Sequence, residues 1–145
     1  MYKNGEGTET NLHNALEWLE QSVKQGNSSA QNTLGLMYKN GEGIERDSQK
    51  AFELFEKSAQ QGNTVAIYNL GIMYYTGEGV EKDFYKAFEL YEIAAKLGFA
   101  DAQYNLAFMY ATGEGVEKDH TKMIGWLYKA AKQGHPKAQS IVNRK

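Results

Sequence analysis

The sequence predicts an all-α chain built from stacked pairs of helices, a solenoid filling residues 1–145 as a single domain. Three observations carry this expectation. The tripeptide Gly-Glu-Gly recurs at residues 5, 41, 77 and 113, an interval of 36. A second series, Gly26, Gly62, Gly98 and Gly134, keeps the same interval of 36, so 12 of the 15 glycines belong to one frame. Between the glycines, apolar residues return three and four apart, the spacing of one helix face. Repetition at this period marks an array in which each unit buries its apolar face against its neighbours.

Taken in order, residues 1–27 read as an incomplete first repeat that holds only its second helix, helix B. Met1-Tyr2 matches Met37-Tyr38, the end of a first helix whose earlier turns are missing. Asn11 is the expected N-cap of a helix from Leu12 to Gln25, with Ala15, Leu16, Leu19, Ser22 and Val23 on one side and Trp18 widening the stripe. The repeat 28–63 opens with helix A over residues 28 to 40, where Ala30, Leu34, Met37 and Tyr38 share a face. Gly41 stands where a helix ends in a left-handed residue. Asp47 then caps helix B, since a short side-chain oxygen accepts from a free N–H of the first turn. Ala51, Phe52, Phe55, Ser58 and Ala59 form its stripe, closed by Gly62.

The repeat 64–99 restates this pattern, with Asp83 as the cap; residues 30–65 and 66–101 share 18 identities over 36 positions. The repeat 100–135, capped by Asp119, departs at Ala107, where Gly35 and Gly71 stand, and at Met123, where Ala51 and Ala87 stand. Residues 136–145 form a capping half-repeat that keeps Ala138 and Val142 in the core frame.

Composition narrows the functions. A net charge of −2 with 23% charged residues offers no basic footprint for nucleic acid or an anionic membrane. With no cysteines, disulfides, thiolate metal sites and cysteine nucleophiles are removed together. The N-terminus has no basic segment followed by an apolar one, and no apolar run is long enough to span a bilayer. The expectation is a soluble cytoplasmic protein, or a periplasmic or secreted one if a signal peptide has been removed.

The Gly-Glu-Gly loops are not phosphate cradles. A Walker loop ends in Gly-Lys-Ser/Thr, and a dinucleotide fingerprint needs a third glycine where this chain has Arg46, Lys82 and Lys118. His13, His120 and His135 fall at unrelated repeat positions, which suits solvated surface better than a metal site. Neither Ser-x-x-Lys nor Gly-x-Ser-x-Gly occurs. The pairs Glu53-Glu56 and Glu89-Glu92 read as a charged outer face. No catalytic residue, cofactor or metal is expected.

The informative surface is the side of helix A that the core does not use. Stepping about 100° per residue from Ala30 places Asn32, Leu36 and Lys39 opposite the core stripe. Their equivalents are Tyr68, Ile72 and Tyr75, then Tyr104, Phe108 and Ala111, with Thr33, Asn69 and Asn105 alongside. In a solenoid this side lines the concave surface. Leu36, Ile72 and Phe108 suit packing between successive A helices; the tyrosines and asparagines suit an aromatic groove for an extended or helical peptide, with Asn69 and Asn105 bonding its backbone.

Leu34-Gly35-x-x-Tyr38 followed by Ala51-x-x-x-Phe55 resembles the tetratricopeptide pattern. The longer frame, Ala30-x-x-x-Leu34-Gly35-x-x-Tyr38-x-x-Gly41-x-Gly43-Ile44-x-x-Asp47-x-x-Lys50-Ala51 ending in Ala59-x-x-Gly62, is similar to the Sel-one-like repeat, a sister class. Copies starting at Ala66 and Ala102 match it. The resemblance implies antiparallel helix pairs in a right-handed superhelical solenoid, acting as an adaptor or scaffold.

The expected function is a protein-interaction module that holds a peptide or protein segment on the helix A face, through Asn32, Leu36, Lys39, Tyr68, Asn69, Ile72, Tyr75, Tyr104, Asn105 and Phe108. Weak self-association through apolar surface around Leu12, Leu16 and Leu19 is a further expectation. Two alternatives belong to other classes. A cysteine-rich, secreted branch of the Sel-one-like family is associated with β-lactam binding and hydrolysis, but this chain lacks its cysteines. RNA binding by helical repeats would need a basic concave face that the sequence does not supply.

Overall fold

The computed structural model describes residues 6–143, with the side chains of residues 6–10 and 12 outside the description. Met1-Tyr2, Gly5, the Leu12 side chain and the last two residues of the expected half-repeat thus lie outside the described residues. Among the described residues there are eight helices and no strand. The chain divides into two compact units, Met1–Asn63 and Thr64–Lys145.

The first unit contains α1 (Glu6–Lys24), α2 (Ser28–Asn40) and α3 (Ser48–Gln60), with α2 packed against both others. Asp47 caps α3 by accepting from Lys50 N at 3.1 Å. The corner before it is locked to the helix it leaves: Gly41, at φ 71°, donates to Met37 O at 2.7 Å, and Asp47 N donates to Tyr38 O at 2.9 Å. Only glycine takes that left-handed conformation without Cβ strain.

The first copy departs from this plan. α1 starts at Glu6, so Asn11 lies inside the helix instead of capping it. Because α1 runs through Asn11, the i to i−4 ladder already engages the N–H groups that a cap there would take. Ala15 and Trp18, expected in the buried stripe, are exposed. Leu19 is buried against α2 and Leu16 is half-buried, while Trp18 beside them stays exposed.

Between α2 and α3 the core is Ala30, Leu34, Ala51, Leu54 and Phe55. Two polar contacts fix the register. The fully buried Ser58 Oγ donates to Ser28 O at 2.7 Å, and Gln61 Nε2 donates to Gln31 Oε1 at 2.9 Å.

The second unit contains α4 (Thr64–Thr76), α5 (Phe84–Lys96), α6 (Ala100–Thr112), α7 (His120–Lys132) and α8 (Pro136–Val142), each packed against the next. Asp83 and Asp119 cap α5 and α7, and their N–H groups donate to Tyr74 O and Tyr110 O at 2.9 and 3.1 Å. Ala66, Leu70, Met73, Ala87, Tyr91, Ala94, Ala102, Leu106 and Met109 form the core. A second cluster joins Ala107, Leu127, Ala130, Ala131 and Ala138, with Met123 and Val142 packed on it.

α4 and α5 approach closely at one point. A Cβ built on Gly71 would lie 2.9 Å from two ring carbons of Tyr91, closer than real Cβ contacts come. One repeat later, Ala107 replaces the glycine and Leu127 the tyrosine, and both are buried in the same cluster. The smaller side chain makes room for the extra methyl.

The glutamine pair of the first unit recurs as Gln133 Nε2 donating to Gln103 Oε1 at 2.8 Å. At the register between them both partners change together, to Ile67 and Leu97. Replacing both members avoids a lone buried amide.

Candidate functional site

α4 and α6 turn their non-core faces to the same side of the second unit, and α8 continues that line. Their side chains enclose a cavity of about 500 Å³ walled by Ile72, Tyr75, Tyr104, Asn105 and Phe108, with Tyr91 at its floor and Lys137 of α8 at its edge. A neighbouring hollow of about 350 Å³ shares Tyr104, Asn105 and Lys137, and adds Tyr68, Asp101 and His135. A slot of about 140 Å³ shares Tyr104 and Phe108, and is closed by Ala107, Ala111, Met123, Leu127 and Ile141. Tyr104 lines all three, so the three hollows adjoin around its ring and are taken together as one groove.

The wall is held by rings and hydroxyls. Tyr68 lies 5.0 Å from Phe99 and 5.8 Å from Tyr91, and Tyr75 lies 5.0 Å from Phe84 and 6.4 Å from Tyr91, centroid to centroid. Asn105 Nδ2 donates to the Tyr68 hydroxyl at 3.4 Å, and the Tyr75 hydroxyl donates to Glu114 Oε1 at 2.6 Å. Burial first, and then the Glu114 hydrogen bond and charge, push the Tyr75 hydroxyl up to about 12. Burial is also the first cause that raises Tyr91 and Tyr68, with Asp101 adding to Tyr68. All three phenols are therefore protonated at neutral pH.

His135, expected on the solvated surface, is a structural residue. Its side chain is 9% exposed. Nδ1 accepts from Ala138 N at 3.3 Å and caps α8, so Nε2 carries the proton and donates to Asp101 Oδ1 at 2.9 Å. The ring stacks on Tyr104 with centroids 4.7 Å apart and planes 12° from parallel. That stack sets the angle of the Tyr104 ring in the groove.

Of the residues singled out in the sequence, Tyr68, Ile72, Tyr75, Tyr104, Asn105 and Phe108 line this groove. Phe108 stands out because it is 50% exposed, in the middle of a helix with a well-packed opposite face. Asn69 is buried at 6% exposure, so it does not offer its amide to a ligand as expected. Asn32, Leu36 and Lys39 lie half-buried on α2 in the first unit. That unit's hollow of about 240 Å³ is lined instead by Leu34, Tyr38, Lys50, Glu53, Leu54 and Lys57. Tyr91, Lys137 and Glu114 were not anticipated. Tyr91 is a buried core residue of α5, Lys137 sits in the half-repeat, and Glu114 belongs to a Gly-Glu-Gly loop. Among the described residues no group of acidic, histidine or cysteine side chains is arranged to hold a metal ion, and no helix is long and apolar enough to cross a membrane.

The family model described as the Sel1 repeat matches residues 1–27, 28–63, 64–99 and 100–135. The chain belongs to the Sel1 repeat family. A Sel1 repeat protein from Oxalobacter formigenes is 40% identical, with 87% of this chain and 95% of that one covered and a TM-score of 0.78. A protective antigen present in uropathogenic Escherichia coli strains, displaying an SLR fold, is 35% identical over 88% of this chain, with a TM-score of 0.85; the match spans 27% of its length. The cysteine rich protein B of Helicobacter pylori, 23% identical and covered over 99% of its length against 95% of this chain, shares the fold with a TM-score of 0.72. A search of the curated proteins finds no match. Sel1 repeats are in general protein–protein interaction modules.

Proposed function

We propose that this Sel1 repeat protein binds a peptide or a protein segment along the groove of α4, α6 and α8. The observation that carries the reading is Phe108, half exposed at the junction of two apolar-walled hollows while the opposite face of α6 is fully buried. Large apolar side chains beside a few fixed polar groups are the usual composition of a recognition surface. Asn105 supplies an amide within reach of a bound main chain, and Ile72 and Tyr104 supply flat apolar walls. Because the His135 stack and the Tyr75–Glu114 bond hold the rings in place, little side-chain freedom is lost on binding.

A library of displayed peptides selected against the wild-type protein tests the reading. Binders are expected whose retention falls about tenfold or more with Phe108→Ala, while helicity and melting stay unchanged. Binders indifferent to Phe108→Ala and Asn105→Ala would place the interaction elsewhere.

A further inference from the structure

We infer that the slot between α6, α7 and α8 is the selective part of this groove, taking one aliphatic side chain of a peptide whose nearby acidic side chain pairs with Lys137. The inference rests on the groove being the binding surface. The slot sits one repeat beyond the larger cavity, and the two are built from equivalent positions with different side chains. Where the larger cavity has Tyr75 and Tyr91, the slot has Ala111 and Leu127. With these two aliphatic side chains in place of the rings, the slot measures about 140 Å³ and its walls are almost wholly apolar. An apolar cavity of about 150 Å³ holds a benzene molecule, so a leucine, isoleucine or methionine side chain fits.

The charge of the ligand follows from what lines the groove. No carboxylate lines the larger cavity or the slot, whereas the exposed Lys137 reaches the larger cavity and has no ion-pair partner among the described residues. Asp101, which lines the neighbouring hollow, accepts from His135 Nε2, and Glu114 accepts from the hydroxyls of Tyr75 and Thr112, so neither pairs with Lys137. The Tyr91 hydroxyl adds a donor in the same cavity, whereas the Tyr75 proton is already given to Glu114. An anionic side chain is complementary to this set, and a cationic one is opposed by Lys137.

The test uses short fluorescent peptides, blocked at both termini, that carry one glutamate and one leucine at increasing separations on a glycine-serine background. Controls replace the leucine by serine or the glutamate by lysine. Loss of the leucine is expected to weaken binding about ten- to a hundredfold. Ala111→Tyr, at an exposed position, refills the slot and should erase that leucine dependence without loss of helicity; Lys137→Glu should reverse the preference for glutamate over lysine. Leucine dependence unchanged in Ala111→Tyr, or charge preference unchanged in Lys137→Glu, overturns the inference. So does failure of these peptides to bind while library-selected peptides still bind in a Phe108-dependent way, a result that leaves the groove reading standing. Absence of any Phe108-dependent binder removes both. Concentration-dependent self-association abolished by Ala111→Tyr would assign the slot to a second copy and also overturn the inference.

Discussion

The Tyr75 hydroxyl donates to Glu114 Oε1 at 2.6 Å, joining the end of α4 to the loop after α6. Glu114 is the middle residue of a Gly-Glu-Gly corner, so the corner also supports the rim of the groove. With its hydroxyl pushed up to about 12, Tyr75 should titrate well above an ordinary tyrosine, whose value is about 10. Difference absorbance of tyrosinate, with Tyr75→Phe as reference, reads this directly; Glu114→Gln should bring the transition down. The folded state holds this proton more tightly than the unfolded one. Stability from the contact is therefore complete below about pH 10 and is lost as pH rises through the folded value near 12. An identical titration in the Glu114→Gln variant would contradict the assignment.

Gly71 faces the Tyr91 ring with no room for a methyl group. Gly71→Ala should destabilise the protein by about 1–3 kcal/mol in urea unfolding, the usual cost of overpacking. In a Tyr91→Leu background the same substitution should cost less, because that pair copies Ala107 and Leu127. The double-mutant cycle measures the coupling, and additive effects would show that the close approach is not the cause.

Asp83 accepts from Lys86 N at 3.1 Å at the start of α5. Asp83→Ala should lose about 1 kcal/mol, and Asp83→Asn much less, since an amide oxygen also caps. Thermal melts of the two variants compare the oxygen with the charge. Equal losses would point to the charge.

Gln103 is 5% exposed and accepts from Gln133 at 2.8 Å. Gln133→Leu alone removes that donor and should cost about 1–3 kcal/mol. Gln103→Ile with Gln133→Leu restates Ile67 and Leu97 and should recover part of the loss. Chemical denaturation of the single and double variants decides it.

The helices and their ends were legible because each rests on local chemistry. Asp47, Asp83 and Asp119 cap from within their own first turn, and Gly41 closes α2 with a conformation that only its own backbone decides. The groove was half legible. A step of about 100° per residue separates the core face from the opposite face, which was enough for Ile72, Tyr104 and Phe108. It does not say what stands across the gap. Asn69 and Asn105 share one register position, yet Asn69 is buried and Asn105 half-buried. His135 looked like a stray surface imidazole because its partners, Asp101 and Tyr104, lie one repeat away. Glu114 and Lys137 escaped notice for the same reason: their roles depend on a neighbour in space, which periodicity alone does not identify. Asn11 does not cap because α1 runs through it, and a shared repeat position does not reveal that the helix starts earlier.

The central claim, that the groove of α4, α6 and α8 is the interaction surface, is tested most directly by mapping amide chemical-shift changes as a library-selected peptide is titrated in. The account predicts changes clustered around Ile72, Tyr104, Asn105, Phe108 and Lys137, with affinity reduced about tenfold or more by Phe108→Ala. Changes confined to the outer faces of α5 and α7, with Phe108→Ala binding as tightly as wild type, would contradict it.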